Sequence, residues 1–233
     1  MEAGEFIFNG KSSLDYGVRV QNRPDRISAK TGMMSATPSN RNGSVFSSLG
    51  VLDNVEIVLK CFYNSNVTDK TIDDISDWLY TDDYANCVLW YDQSYTYKAI
   101  INTSITFTTT STIHDVMEFS ITLEVYPLKY LTTGLSPITL SGNTNYTNPT
   151  KYEARPFITL TGTGANVSII INGRTTTIES VTGDVTIDSE APSTSLPAKY
   201  VGLDFPYLDP GMNVISFTAS KCVLVPNIVR RVV

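Results

Sequence analysis

Apolar and polar residues alternate along much of this chain. In residues 117–125, Met117, Phe119, Ile121, Leu123 and Val125 point one way, and Glu118, Ser120, Thr122 and Glu124 the other. A period of two predicts a strand with one face on a core and one in water or on a partner. Residues 55–62 repeat the pattern through Val55, Ile57, Leu59 and Cys61. Residues 103–109 set Ile105 and Phe107 among threonines, a β-branched composition that predicts a further strand. One segment has a helical period instead. Ile72, Ile75, Trp78 and Leu79 form a stripe in residues 71–79, with Thr71 as the expected N-cap and Asp73 and Asp74 near the positive end of the helix dipole.

Two stretches break the pattern. Residues 23–50 crowd Pro24, Gly32, Pro38, Asn42, Gly43 and Gly50 among few core-type residues, which predicts a long excursion or extended hairpin. Such excursions carry function, and a subunit contact is expected here. Residues 127–150, punctuated by Pro127, Gly134, Pro137, Gly142 and Pro149, read as a domain junction. The expected domains are 1–130 and 131–233. Beyond the junction come only strand signals: 157–160, 167–171, 175–178, 185–187, 214–217 and 223–225, with Asn172-Gly173 as a two-residue hairpin turn. The fold class is therefore mainly β: two β-sandwich domains, the first with a single helix.

Composition narrows the function. Charged residues make up 17% of the 233, against about 25% in an average globular protein, so part of the surface is expected to be covered in an assembly. The net charge of −6, with no basic cluster beyond Arg230-Arg231, argues against nucleic-acid binding. The acidic start lacks a signal peptide's basic and apolar regions, and no apolar run reaches the ~18–20 residues of a membrane span. A soluble protein folded in a cytoplasm, with no membrane contact, is expected. Cys61, Cys87 and Cys222 are far apart and form no CxxC, so buried reduced thiols are expected.

Candidate chemistry is sparse. A Ser-His-Asp or Cys-His site would have to use the one histidine, His114, and no G-x-S-x-G elbow accompanies it; a turn histidine is the preferred reading. Asp73, Asp74 and Asp77 match no calcium loop and read as a solvated helix face. No P-loop occurs, and Gly162-Thr163-Gly164 sits in a hairpin context that opens no helix. No catalytic, cofactor or metal site is expected. The tyrosines around Trp90-Tyr91-Asp92 and Tyr95-Thr96-Tyr97 are read as core or interface before sugar platforms.

Several segments, in order, resemble siphophage distal tail proteins. They are Phe6-Ile7-Phe8-Asn9-Gly10-Lys11, then Asp15-Tyr16-Gly17-Val18, the turn at Arg41-Asn42-Gly43, the strand at 55–62 and the helix ending Asp77-Trp78-Leu79. Tyr91-Asp92, Tyr95-Thr96-Tyr97-Lys98-Ala99 and Val125-Tyr126-Pro127-Leu128-Lys129-Tyr130 complete the first half. In the second half, Glu153 to Gly162, Ile170-Ile171-Asn172-Gly173 and Gly211 to Ile215 resemble that family's galectin-like domain. The resemblance implies a structural virion protein: a homo-oligomer, a hexameric ring at the distal tail tip, assembled in the host bacterial cytoplasm. It implies that the first domain forms the ring and that the galectin-like domain faces outward. The implied partners are the tail tube protein, a tail-tip or tail-associated protein and, in some phages, receptor-binding proteins, with DNA crossing the lumen unbound. The second half has no room for a long inserted arm. The subunit interface is expected in residues 26–50, around Arg41, Val45, Phe46 and Leu49. The competing reading is a carbohydrate-binding module that attaches the tail tip to the host wall. Galectin-type sugar sites use a His/Asn/Arg/Trp cluster, and the second half has neither Trp nor His. A tail-associated hydrolase is a third reading.

Overall fold

The computed structural model describes residues 1–40, 42–109 and 116–233. Arg41 and His114 lie outside the described residues. The chain divides into two compact units, Met1–Lys129 with Arg231–Val233, and Tyr130–Arg230. Both are built from antiparallel strands, and the only α-helix among the described residues is Asp69–Leu79.

The first unit is organised on one long ladder. Val55–Asn64 pairs antiparallel with Val116–Val125 over ten residues, from Val55 opposite Val125 to Asn64 opposite Val116. The alternation seen in the sequence sets which face is core: Val55, Ile57, Leu59 and Cys61 are buried with Met117, Phe119, Ile121, Leu123 and Val125. The main path of the sheet runs Lys11–Ser12, Phe6–Phe8, Ala85–Leu89, Tyr95–Ile100, Val116–Val125, Val55–Asn64 and Val18–Val20. The sheet curls until its ends meet, where the Val20 N–H donates to the Gly4 carbonyl at 2.9 Å. Gly4 has φ +78, and a side chain there would stand 2.7 Å from the Val20 carbonyl oxygen, so only glycine fits.

The helix closes this core. Ile75, Trp78 and Leu79 are buried, Ile72 packs at the margin, and Asp73, Asp74 and Asp77 face solvent. Tyr16 lies flat on Trp78 at 4.4 Å between ring centroids, and the Trp78 indole N–H donates to the Phe8 carbonyl. The helix begins earlier than the sequence suggested. Thr68, not Thr71, is the N-cap, accepting from the Thr71 N–H while the Thr71 hydroxyl is placed to accept from the Thr68 N–H. A threonine directly before the first turn can cap as well as one three residues later, and the apolar stripe does not discriminate between them. The strand expected at 103–109 is reduced to Thr108–Thr109. Residues 101–107 run as irregular backbone that still tucks Ile105 and Phe107 against the core, so their apolar spacing reflected packing without a ladder.

The tyrosine-rich segment and the 125–130 segment meet in space. Lys129 Nζ lies 2.5 Å from Asp92 Oδ2, with both side chains largely buried. The Tyr97 hydroxyl donates to the same carboxylate oxygen, and the ammonium stands 4.3 Å from the Tyr95 ring centroid. Burial, and then the Asp92 hydrogen bond, push the Tyr97 phenol far above its ordinary range.

The second unit is a sandwich of two five-stranded sheets. One runs Ile138–Leu140, Lys221–Val225, Phe157–Thr163, Thr182–Asp188, Ser193–Thr194; the other runs Thr144–Asn148, Gly211–Phe217, Val167–Ile171, Arg174–Ile178, Tyr200–Val201. The stretch expected as a linker thus supplies an edge strand to each sheet, because short polar strands at an edge bury little and leave a weak apolar pattern. Ile158, Leu160, Ile169, Ile171, Val185, Ile187, Ile215 and Leu224 fill the space between the sheets. Asn172-Gly173 forms the predicted turn, both with positive φ. Asn172 also ties the turn to the next strand: its Nδ2 donates to Asp209 and Asn213, and its Oδ1 accepts from the Val214 N–H. Arg174 pairs with Asp209 at 2.8 Å and lies over the Tyr207 ring. The Arg174 hydrogen bond, helped by Asn172, holds the Asp209 carboxyl below its ordinary range.

Substitutions in these two polar clusters have distinct expected costs. Lys129→Met strands a largely buried carboxylate and should cost about 3 kcal/mol in urea unfolding; adding Asp92→Asn should recover part of that loss. A double variant less stable than Lys129→Met would contradict this account. Asn172→Ala should cost about 2 kcal/mol through its left-handed backbone and lost hydrogen bonds. Asp209→Asn should cost under about 1 kcal/mol at neutral pH, because the Arg174 pair is solvent-exposed. A depressed native pKa stabilises above the unfolded pKa and is lost as pH falls through the native one. The penalty of Asp209→Asn should therefore shrink as pH falls through and below the ordinary carboxylate range, as read from thermal melts across pH.

Candidate assembly surface

Thr31–Ala36 and Val45–Leu52 form a two-stranded antiparallel ribbon that joins neither unit's main sheets. Ser35 is opposite Phe46 and Ala36 opposite Val45, with a register shift beside Gly32. Among the described residues between Ala29 and Val55, no large hydrophobic side chain is buried.

The ribbon's faces follow from this register, because paired residues share a side and successive residues alternate. Met33 and Phe46 lie on one face. Met34, Val45 and Leu49 lie on the other, where Leu49 and Val51 pack over Gly32; a side chain at Gly32 would stand 3.4 Å from Leu49 Cδ1 and 3.6 Å from Val51 Cγ2. The six apolar side chains are between 41% and 67% exposed. Of the residues the sequence nominated, Val45 and Leu49 therefore share a face and Phe46 is on the opposite one, while Arg41 lies outside the described residues. Met33, Met34 and Val51 were missed. The adjacent methionines were a usable signal, since neighbours in a strand must point to opposite sides. Two-stranded ribbons are marginal alone in water, and a ribbon resting on one surface would keep its outer face polar. This one is apolar on both.

Two further features stand near the ribbon's root. Residues 22–27 run beside the outward side chains Val58 and Lys60 and leave a groove of about 330 Å³, lined by Asn22, Arg23, Pro24, Asp25, Ile27, Val58 and Lys60. Over Val55–Leu59 the described ladder pairs this strand only with Val116–Val125, since Val18–Val20 matches Cys61, Phe62 and Tyr63. Sheet edges of this kind are templates for pairing with another chain.

The described residues offer little for chemistry. No group of three or more His, Cys, Asp or Glu among them is placed to hold a metal ion. The three cysteines are buried, and burial pushes each thiol up to about 12, which keeps them protonated at neutral pH. No helix among the described residues is long and apolar enough to cross a membrane.

No family model matches the sequence, and no curated protein matches it. Solved structures do. A chain of the phage P2 baseplate in its activated conformation with calcium matches with a TM-score of 0.52 at 8% identity, covering 94% of this chain and 97% of that one. The same baseplate with strontium gives 0.51 at 8% identity, with the same coverage. The Dit protein of phage SPP1, described as a paradigm of the hub adsorption apparatus in phages that infect Gram-positive bacteria, matches with a TM-score of 0.67 at 16% identity. That match covers 94% of this chain and 96% of the SPP1 protein, so this chain has, over nearly its whole length, the fold of a phage tail hub protein.

Proposed function

We propose that this chain is a non-enzymatic hub subunit of a siphophage tail tip. Copies close into a ring, a hexamer, through the unit at residues 1–130. The sandwich at residues 131–233 lies outside the ring. The hub joins the tail tube to the tail-tip proteins and lets DNA through its bore. The observation that carries this reading is the ribbon of Thr31–Ala36 and Val45–Leu52, whose two strands are uncharged and apolar on both faces. Packing it on a neighbouring copy removes that surface from water and gives a head-to-tail contact, the kind that closes into rings. The whole-chain likeness to hub proteins supports the same reading. The net charge of −6 per chain suits a bore that must not hold phosphate.

Phe46→Asp with Leu49→Asp places a charge on each face of the ribbon. Light scattering with size exclusion should give a ring mass for the wild type and a monomer mass for the double variant, with unchanged circular dichroism. Rings that survive the double substitution would move the contact elsewhere. A wild type that stays monomeric alone and with its tail partners would end the proposal.

A further inference from the structure

The groove beside residues 22–27 is open to solvent. Its apolar lining is Pro24, Ile27 and Val58, and Ile27 and Val58 are 49% and 45% exposed. Two cations, Arg23 and Lys60, line it against one carboxylate, Asp25. Arg23 is held in place over the Tyr91 ring at 4.5 Å.

The matching shape occurs elsewhere on the same unit. After the helix, residues 80–84 form a turn whose tip carries Tyr80, 71% exposed, beside the exposed Asp82 and Asp83. The turn is pre-set: the Tyr80 hydroxyl donates to Asp82, and Asp83 accepts from the Tyr84 N–H. At its base the Tyr84 hydroxyl accepts from Asn54, and the Tyr84 ring stands edge-on to Tyr126. Residues 71–84 contain five aspartates and no lysine or arginine. The turn leads into Ala85–Leu89, which is separated from Val55–Asn64 by two intervening strands. At strand spacings of roughly 4.8 Å the two strands lie roughly 14 Å apart, and within one copy the groove stays open.

We propose that the turn of one copy docks in the groove of the next, with Tyr80 on Pro24, Ile27 and Val58 and with Asp82 and Asp83 against Arg23 and Lys60. This deepens the ring reading and rests on it. Knob and hole are different patches, so the contact is heterologous, and each copy offers one of each. A tyrosine in an apolar pocket is the usual anchor of such a contact, and the opposed charges fix which ends meet. The occupant is a second copy of this chain, because the same molecule carries both the acidic aromatic tip and its basic apolar complement.

Full-length Lys60→Cys/Asp82→Cys protein tests the contact under mild oxidation. The native cysteines are fully buried and do not interfere. The expected result is a ladder of disulfide-linked oligomers on a non-reducing gel. Each single variant alone should stay unlinked, and a mixture of the two singles should give covalent dimers. Rings without a ladder overturn this contact and leave the ring reading standing. A ladder without closed rings keeps the contact and rejects the ring. Absence of both rejects both, and self-linking by Asp82→Cys alone overturns the head-to-tail geometry. As a second measurement, Tyr80→Ala should weaken association at least tenfold by analytical ultracentrifugation. An unchanged constant would also overturn the proposal.

Discussion

An apolar two-stranded ribbon is not self-sufficient in water. Its backbone hydrogen bonds form one narrow ladder, and the side chains that should shelter that ladder need a surface to rest on. In this protein the Thr31–Ala36 and Val45–Leu52 ribbon presents methionine, valine, leucine and phenylalanine to both sides, and its own unit buries none of them. On the proposed reading, packing against a neighbouring copy answers that single constraint, and it explains why the chain spends some twenty residues on an element that buries no large hydrophobic side chain.

The rest of the first unit can be understood as what holds that element out. The ten-residue ladder between Val55–Asn64 and Val116–Val125 is the longest described in the sheet, and the ribbon leads into it through Asp53 and Asn54. On the other side of the root, Ala29 donates to the Val232 carbonyl, and the Arg231 guanidinium donates to the Ala29 carbonyl. The chain's last residues, Arg231–Val233, thereby clamp the segment that launches the ribbon. The buried ion pair of Lys129 and Asp92, enclosed by Tyr95 and Tyr97, fixes the strand that follows the ladder. Buried pairs of this sort add little net stability, but breaking one is costly, so they specify a single arrangement.

The second unit uses different means to the same rigidity. Its sandwich core is almost wholly aliphatic, and a dense polar network gathers Asn172, Arg174, Asp209 and Asn213 at a hairpin end. Every member of that network has a hydrogen-bond partner, which suits a brace between two turns.

The sequence alone determined the strands whose faces differ, since strict alternation over 117–125 and 55–62 can satisfy only one buried side. It also set the helix stripe, the Asn172-Gly173 turn and the place of the long excursion, because these depend on local rules of periodicity and backbone sterics. It could not say that Thr68 caps the helix, that residues 101–107 pack without a ladder, or that the stretch at 127–150 supplies edge strands to both sheets of the second unit. The cap turns on which of two nearby threonines leaves the helix, and the other two on which distant strands are free to pair. Nor could it set Ser35 opposite Phe46 and Ala36 opposite Val45, or bring Asp92 to Lys129 and residues 22–27 to Val58. Register and sheet order decide such meetings, and both are set by the burial of whole faces, a property that no short window of residues contains.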